Sequence, residues 1–364
     1  MKCGVFHTPY MRPERTPRDV FDYSVLIARE ADQAGFADFM VGEHATQAWE
    51  SVPNPEIVIG ACARETSQIR FAPMAHLLDL HEPGSLAMQV GYLSQVLEGR
   101  YFLGVGASGD PREAIIRGRP ADLADARPRR DEALEIMRQI WKRQPFSREG
   151  GYFRGGFPEQ SPNQEYVLPD FSPWGGEEAL EIAVTALSRG SSSMGWAGRN
   201  GFSPVSFFGG IDITRSHWET YVESAEGEGR PIERSRFRIC REILIADTDK
   251  EARERALAGG LGYCWENYLG PTYQRFGLLD GYAAEAGIEP SSIDMDFIAE
   301  HVWLCGSPET VAGKIEAMYE ETGGFGEIVL YTHDYIDDPD PWIESMHRLA
   351  EEVIPALQAS VDVT

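Results

Sequence analysis

Positive charge is scarce in this chain: 33 lysines and arginines stand against 58 aspartates and glutamates over 364 residues, a formal net charge of −25. Nucleic acid and anionic membrane surfaces both need a basic face, so neither is expected as a partner. An anionic cofactor would have to be held locally, by backbone amides, hydroxyls and a few arginines. Cysteine is sparse too. Cys3, Cys62, Cys240, Cys264 and Cys305 are widely spaced with no C-x-x-C pair, which excludes a zinc ribbon or a disulfide framework and fits free thiols in a reducing cytosol. No window approaches the ~18 apolar residues needed to span a bilayer. The opening MKCGVFHTPY runs straight into a strand pattern, without the charged, apolar and cleavage regions of a signal peptide. A cytoplasmic protein is expected.

The common nucleotide and metal signatures are missing as well. There is no G-x-x-x-x-G-K-[ST], no H-E-x-x-H and no ligand cluster visible among the eight histidines, so no metal is expected. Gly104-x-Gly106 follows a strand but lacks the full G-x-G-x-x-G spacing of a dinucleotide fold. The run Ser188 to Ser193 lacks the nucleophile elbow of a hydrolase.

What is present is alternation. Strand patterns near 3–8, 37–42, 69–75, 101–106, 181–186, 202–207, 237–246 and 327–332 are separated by helical patterns near 18–34, 56–65, 83–97, 130–142, 192–199, 215–226, 308–321 and 341–357. Eight βα pairs predict an α/β fold, a TIM-type (β/α)8 barrel, as a single domain over residues 1–364. Two segments exceed the simple count, about 108–174 after strand four and about 259–296 after strand seven. Both leave the C-terminal end of a strand, where barrels place their active sites, so both are candidate walls or lids. The second is rich in aromatics: Tyr263, Trp265, Tyr268, Tyr273, Phe276 and Tyr282.

The candidate chemistry gathers on that same face. His44 follows strand two beside Glu43, His7 ends strand one, and His333 with Asp334 closes strand eight. A histidine at a barrel rim can act as acid, base or hydrogen-bond donor near neutral pH. The turn Ser188-Arg189-Gly190-Ser191 follows the apolar strand EIAVTA and opens a helix. Free amides at a helix start, with hydroxyls and the positive dipole end, suit a phosphate. His76 and His81 flank a turn that they would stabilise, while His217, His301 and His347 read as surface or helix residues.

Several stretches together resemble the bacterial-luciferase-like family of flavin-dependent monooxygenases: VGEHATQAWE, the run from PNPEIVIGACARETSQIRFAPMAH to EGRYFLGVGASG, AVTALSRGSSSMGWAGRNGFSPVSF, and GSPETVAGKIEAMYEETGGFGEIVLYTHDY. GEHATQ, the Gly-Phe-Gly before strand eight and the THDY ending are most similar to limonene-monooxygenase-like members. The resemblance implies a barrel that takes FMN as FMNH2 from a separate flavin reductase. It inserts one atom of O2 into a small apolar or cyclic organic substrate through a flavin C4a-(hydro)peroxide, and it works as a homodimer. His44 matches the family's active-site histidine, and His333 joins it as a catalytic candidate. The implied cofactor-binding set is His7, Met74, Ala75, Gly104, Gly106, Ser108, Ser188, Arg189, Gly190 and Ser191, with a cis peptide between Met74 and Ala75. Two departures stand out: Ala107 replaces a phosphate-side arginine, leaving Arg112 or Arg189 to substitute, and Leu187 replaces an acidic neighbour of the phosphate serine. Hydride transfer with the deazaflavin F420 is the alternative, and a non-catalytic flavin-binding subunit a third reading.

Overall fold

The computed structural model describes residues 1–159 and 168–360. Part of the segment expected after strand four, residues 160–167, therefore lies outside the described residues. Eight parallel strands form a ring: β1 (Lys2–His7), β2 (Asp38–Val41), β3 (Arg70–Pro73), β4 (Leu103–Gly106), β5 (Ile182–Ala186), β6 (Ser203–Ser206), β7 (Arg238–Arg241) and β8 (Glu327–Tyr331). They are hydrogen-bonded in the order β3-β2-β1-β8-β7-β6-β5-β4. The ring closes where His76–Leu77, just past β3, pairs with Val105–Gly106 of β4, and where Phe71 bridges Tyr101. This is the expected (β/α)8 barrel. Its strands are buried almost without a break, Glu327–Tyr331 entirely so, because side chains fill the inside while helices cover the outside.

The first helix shows how sequence sets the outer layer. Thr16 caps Pro17–Ala34 through a capping box with Asp19, Pro17 fills the first helical position, and Gly35 ends the helix at φ 86°. Val20, Tyr23, Ser24, Ile27, Ala28 and Ala31 recur at helical spacing and are the buried face.

Two strands depart from the sequence reading. The third ends at Pro73 and resumes at His76–Leu77, and between them stands the cis peptide of Met74 and Ala75 that the resemblance implies. The seventh was expected to run continuously to residue 246. It leaves the ring at Glu242 instead, and Ile243–Ile245 pairs in parallel with Leu304–Gly306 outside the barrel. Three consecutive buried apolar residues gain ladder partners and cover on both faces only by that exit.

The aromatic-rich segment after β7 folds into short helices: Gly260–Cys264, a π-helical turn at Trp265–Leu269, Gly270–Arg275, Leu279–Ala286 and Met295–His301. None is long enough to carry a clear amphipathic period. After β4 come helices Pro111–Ile116 and Ala126–Trp141 and a hairpin of Phe146–Arg148 with Gly155–Phe157.

The N-terminal end of the barrel is plugged by charge. Arg238 donates to Asp38 at 2.9 Å, Glu327 at 3.0 Å and Glu181 at 2.9 Å. Arg70 reaches Asp38 and Glu181, each at 2.8 Å. Burial opposes ionisation of Asp38, but the two guanidinium groups hold its carboxyl below the usual range. Burial and then the Asp38 charge push Glu327 the other way, so it keeps its proton. Two cations then face two anions, and the plug is neutral overall. Gly4 is part of it: a Cβ there would sit 2.2 Å from the Glu327 carboxyl.

Candidate active site at the C-terminal face of the barrel

The loop after β2 is built to present His44. Gly42 allows the backbone to pass Thr8, whose hydroxyl would lie 2.8 Å from a Cβ at that position. Glu43 turns inward and His44 outward. The Glu43 carboxylate binds His76 Nδ1 at 2.5 Å, His81 Nε2 at 2.8 Å and Arg117 at 2.6 Å. His76 Nε2 meets Glu56 at 2.5 Å. Burial works against a charge on His76, but the carboxylates of Glu56 and Glu43 outweigh it and push the ring up to about 10. Glu43, His76 and His81 bring ligand atoms within 4.8 Å of one another, a cluster the sequence did not reveal. With Arg117 on the carboxylate and His76 charged, it is a complete ion cluster that anchors the loop.

Beyond His44 the loop is held by its neighbours. The amides of Ala45 and Thr46 and the Thr46 hydroxyl all donate to Glu113, at 2.8, 2.9 and 2.9 Å. Gln47 donates to Asp110 at 3.1 Å. Both acceptors belong to the segment after β4. From the other side, Tyr268 of the π-helical turn stacks on Trp49 at 5.4 Å, with an interplanar angle of 8°. The two long segments therefore converge on the His44 loop. The His44 side chain keeps 36% of its surface exposed, with Nε2 at 3.2 Å from Glu50.

The wall of the mouth is aromatic. Phe6, Phe207 and Tyr331 pack edge to face, with centroids 4.5 to 6.1 Å apart. Phe208, at φ 44°, stacks on Tyr331 at 4.8 Å and meets Tyr273 of the post-β7 segment at 5.3 Å. Glu242, where the seventh strand leaves the ring, is enclosed nearby, and burial raises its carboxyl to about 7.

Opposite lies the serine turn. It leaves β5 exposed, takes Gly190 through φ 59°, and caps the helix Ser192–Asn200 with Ser191. Among the described residues, the amides of Arg189, Ser191 and Ser192 have no protein acceptor. His217 braces the turn from below, its ring joined to the Ser206 hydroxyl at 2.9 Å and the Ser188 carbonyl at 2.9 Å. The sequence placed His217 on a helix or at the surface. It is helical but fully buried, and burial lowers it to about 4. Its partners lie in other elements, so no local pattern could show it. Ser216 completes the brace by accepting from the Gly190 amide at 3.3 Å.

Other predicted residues divide between partly open positions and the packed interior. The Met74–Ala75 segment and Gly104 touch directly: a Cβ on Gly104 would lie 2.2 Å from the Pro73 carbonyl and 2.6 Å from Met74 Sδ. Gly104 thus serves strand contact, while Gly106 and Ala107 are partly open. Ser108 is buried, its amide donating to Asp79 at 2.8 Å. The structure does not bring His7 to the mouth. Its ring is fully buried between Ser24 at 2.7 Å and Thr332 at 2.9 Å, and burial lowers it to about 3. His333 is enclosed as well, stacked under Tyr10 at 5.3 Å, and burial lowers it to about 3. Both side chains point into the packed wall, not along it. Arg112 is 64% exposed and paired with Asp110 at 2.6 Å, while Arg189 is 62% exposed and 3.6 Å from Asp212.

A partly exposed histidine after β2, an anion-ready turn after β5 and an aromatic cluster, all at the C-terminal face of a (β/α)8 barrel, define a class: barrel enzymes that bind a phosphorylated cofactor beside an apolar substrate. The family model of luciferase-like monooxygenases matches residues 1–325, and the chain belongs to that family. It is a flavin-dependent monooxygenase. The 2,5-diketocamphane 1,2-monooxygenase 1 of Pseudomonas putida is 54% identical over 362 residues, covering 98% of this chain and 99% of that one. The 3,6-diketocamphane 1,6-monooxygenase of the same organism is 45% identical over 98% of each. A type II Baeyer–Villiger monooxygenase, the oxygenating constituent of 3,6-diketocamphane monooxygenase in complex with FMN, matches with a TM-score of 0.95 and 47% identity over 98% of both chains. Limonene 1,2-monooxygenase of Rhodococcus erythropolis is more distant, at 25%. An F420-dependent reductase matches with a TM-score of 0.69 at 18% identity, a likeness of fold alone.

Proposed function

We propose that this protein is the oxygenating component of a two-component Baeyer–Villiger monooxygenase, which uses FMNH2 and O2 to convert a rigid cyclic ketone of the camphane diketone type into a lactone. The observation that carries this reading is full-length identity above one half to a diketocamphane monooxygenase. The site fits an FMN on its own evidence: open amides at a capped helix start suit the phosphate, and the partly open Ala75, Gly106 and Ala107 offer a bed for the ring system, with Met74 buried behind them. When bound, reduced FMN supplies the two electrons that split O2, one atom entering the substrate C–C bond and the other leaving as water.

The protein's own groups do the rest. His44 is the imidazole exposed in the mouth and is assigned to the substrate carbonyl oxygen; with Nε2 turned to Glu50, the imidazolium form would present Nδ1–H as the donor that stabilises developing negative charge. Phe6, Phe207, Phe208 and Tyr331 exclude water and hold an apolar bicycle. Arg189 is the cation available to the phosphate turn. His7 and His333 keep structural roles.

A stripe of exposed apolar side chains, Met88, Tyr92 and Val96 on the helix Pro83–Leu97 with Ile57 beside it, supports a homodimer. FMNH2 would come from a separate reductase. Buried, unpaired cysteines suit a reducing cytoplasm, and no helix among the described residues is long and apolar enough to cross a membrane. The test is to supply photoreduced FMN, O2 and 2,5-diketocamphane to the purified protein and follow lactone by mass spectrometry. Lactone formation dependent on His44 supports the proposal; flavin oxidation that yields only hydrogen peroxide with every camphane ketone overturns it.

A further inference from the structure

The mouth contains a carboxylate that the proposed chemistry does not use. Glu50 lies on the His44 loop with 13% of its side chain exposed, and three side chains converge on it. Thr8, just past β1, donates its hydroxyl to one oxygen at 2.8 Å. Tyr268, from the π-helical turn after β7, donates to the other at 2.5 Å. The His44 Nε2 lies 3.2 Å from the oxygen that Thr8 also contacts. Both hydroxyls donate to the carboxylate, and the imidazole lies beside it at ion-pair distance. Burial, and then Glu50 itself, keep the Tyr268 phenol protonated and therefore a donor. Gly42 allows this geometry, since any side chain there would displace Thr8.

We infer that Glu50 is the positioning residue of this site: it orients the His44 ring and fastens the segment after β7 across the mouth, without itself meeting substrate. The same carboxylate joins the group that would touch the ketone to the turn that shields it. Closing the mouth and aiming the histidine are thus one event, which favours oxygen transfer over loss of reduced oxygen to water. The catalytic half of this inference rests on the oxygenase reading; the fastening half does not.

The experiment uses the full chain in four forms: wild type, Glu50→Gln, Glu50→Asp and Tyr268→Phe, with His44→Ala as a background. With photoreduced FMN and a camphane diketone, Glu50→Gln is expected to lower kcat about tenfold or more and leave KM within about threefold, with more hydrogen peroxide released per flavin oxidised. Glu50→Asp regains part of the loss. In the His44→Ala background Glu50→Gln adds no further loss in kcat, because the carboxylate acts through the imidazole. Hydrogen exchange of residues 265–275, read without flavin or ketone, is expected to quicken in Glu50→Gln and Tyr268→Phe and to stay unchanged in His44→Ala. Fully additive kinetic losses would overturn the positioning role, and unchanged exchange in both variants would overturn the fastening role. If no ketone is oxygenated by the wild type, the oxygenase reading fails separately and exchange decides the fastening.

Discussion

At the N-terminal end of the barrel, Arg238, Arg70, Asp38, Glu181 and Glu327 close on one another until each ionised group has an opposite partner. At the C-terminal end the pattern reverses: an imidazole is left partly exposed, three amides have no protein acceptor, and the neighbouring surface is aromatic. The same eight strands carry both ends, so the difference lies in which residues follow and precede them. Internal pairing makes the bottom a fastener, and withheld pairing makes the top receptive.

The contrast can be broken from either end. Replacing Arg238 by Met leaves Asp38 and Glu181 short of countercharge in a buried setting, and about 3–5 kcal/mol of stability should be lost in chemical denaturation. An unchanged midpoint would mean that water enters the bottom and the plug is not closed. His44→Ala should lower lactone formation about a hundredfold with far-ultraviolet circular dichroism unaltered. Loss of folded signal in that variant would assign His44 to the scaffold.

Smaller effects sharpen the comparison. His217→Leu removes the brace beneath the serine turn and strands the Ser206 hydroxyl and Ser188 carbonyl, so FMN should bind about tenfold more weakly in a fluorescence titration. Equal affinity would detach the turn from the cofactor. The least effect is expected from Glu327→Gln, which replaces a protonated acid by a neutral isostere. A carboxyl whose folded pKa is raised stabilises most below the unfolded carboxyl range and loses that contribution as pH climbs toward about 8. Wild-type stability should therefore decline across that window and the Gln variant decline less; parallel curves would place the proton elsewhere.

The barrel itself was legible because strand and helix periods alternate cleanly, and the position of His44 and of the serine turn at strand ends was legible because local motifs mark both loops. The bottom plug was not. Asp38 and Arg238 stand 200 residues apart, and nothing in either neighbourhood announces the other. His217 was hidden for the same reason, since its value lies in partners on β6 and in the turn after β5. Gly104 was read beside the cofactor, and its immediate neighbours are Pro73 and Met74; a glycine pattern records that space is short, not what takes it. His7 and His333 were placed at the right strand ends, but His7 follows Phe6 and so turns to Ser24 of the covering helix, and His333 lies past the end of β8 against Tyr10. The break of the seventh strand at Glu242 was passed over because β-prone residues lie on both sides of it, although the adjacent charges Arg241 and Glu242 mark the place.

Glu113, described above as the acceptor for Ala45 and Thr46, sets a limit on redesign. Loops of barrel enzymes are commonly regarded as interchangeable parts, each grafted alone to alter substrate preference. Here the His44 loop draws its shape from a carboxylate more than sixty positions further along the chain. A chimera that imports this loop without the helix that bears its acceptor would receive the sequence and lose the conformation. The transferable unit is the pair.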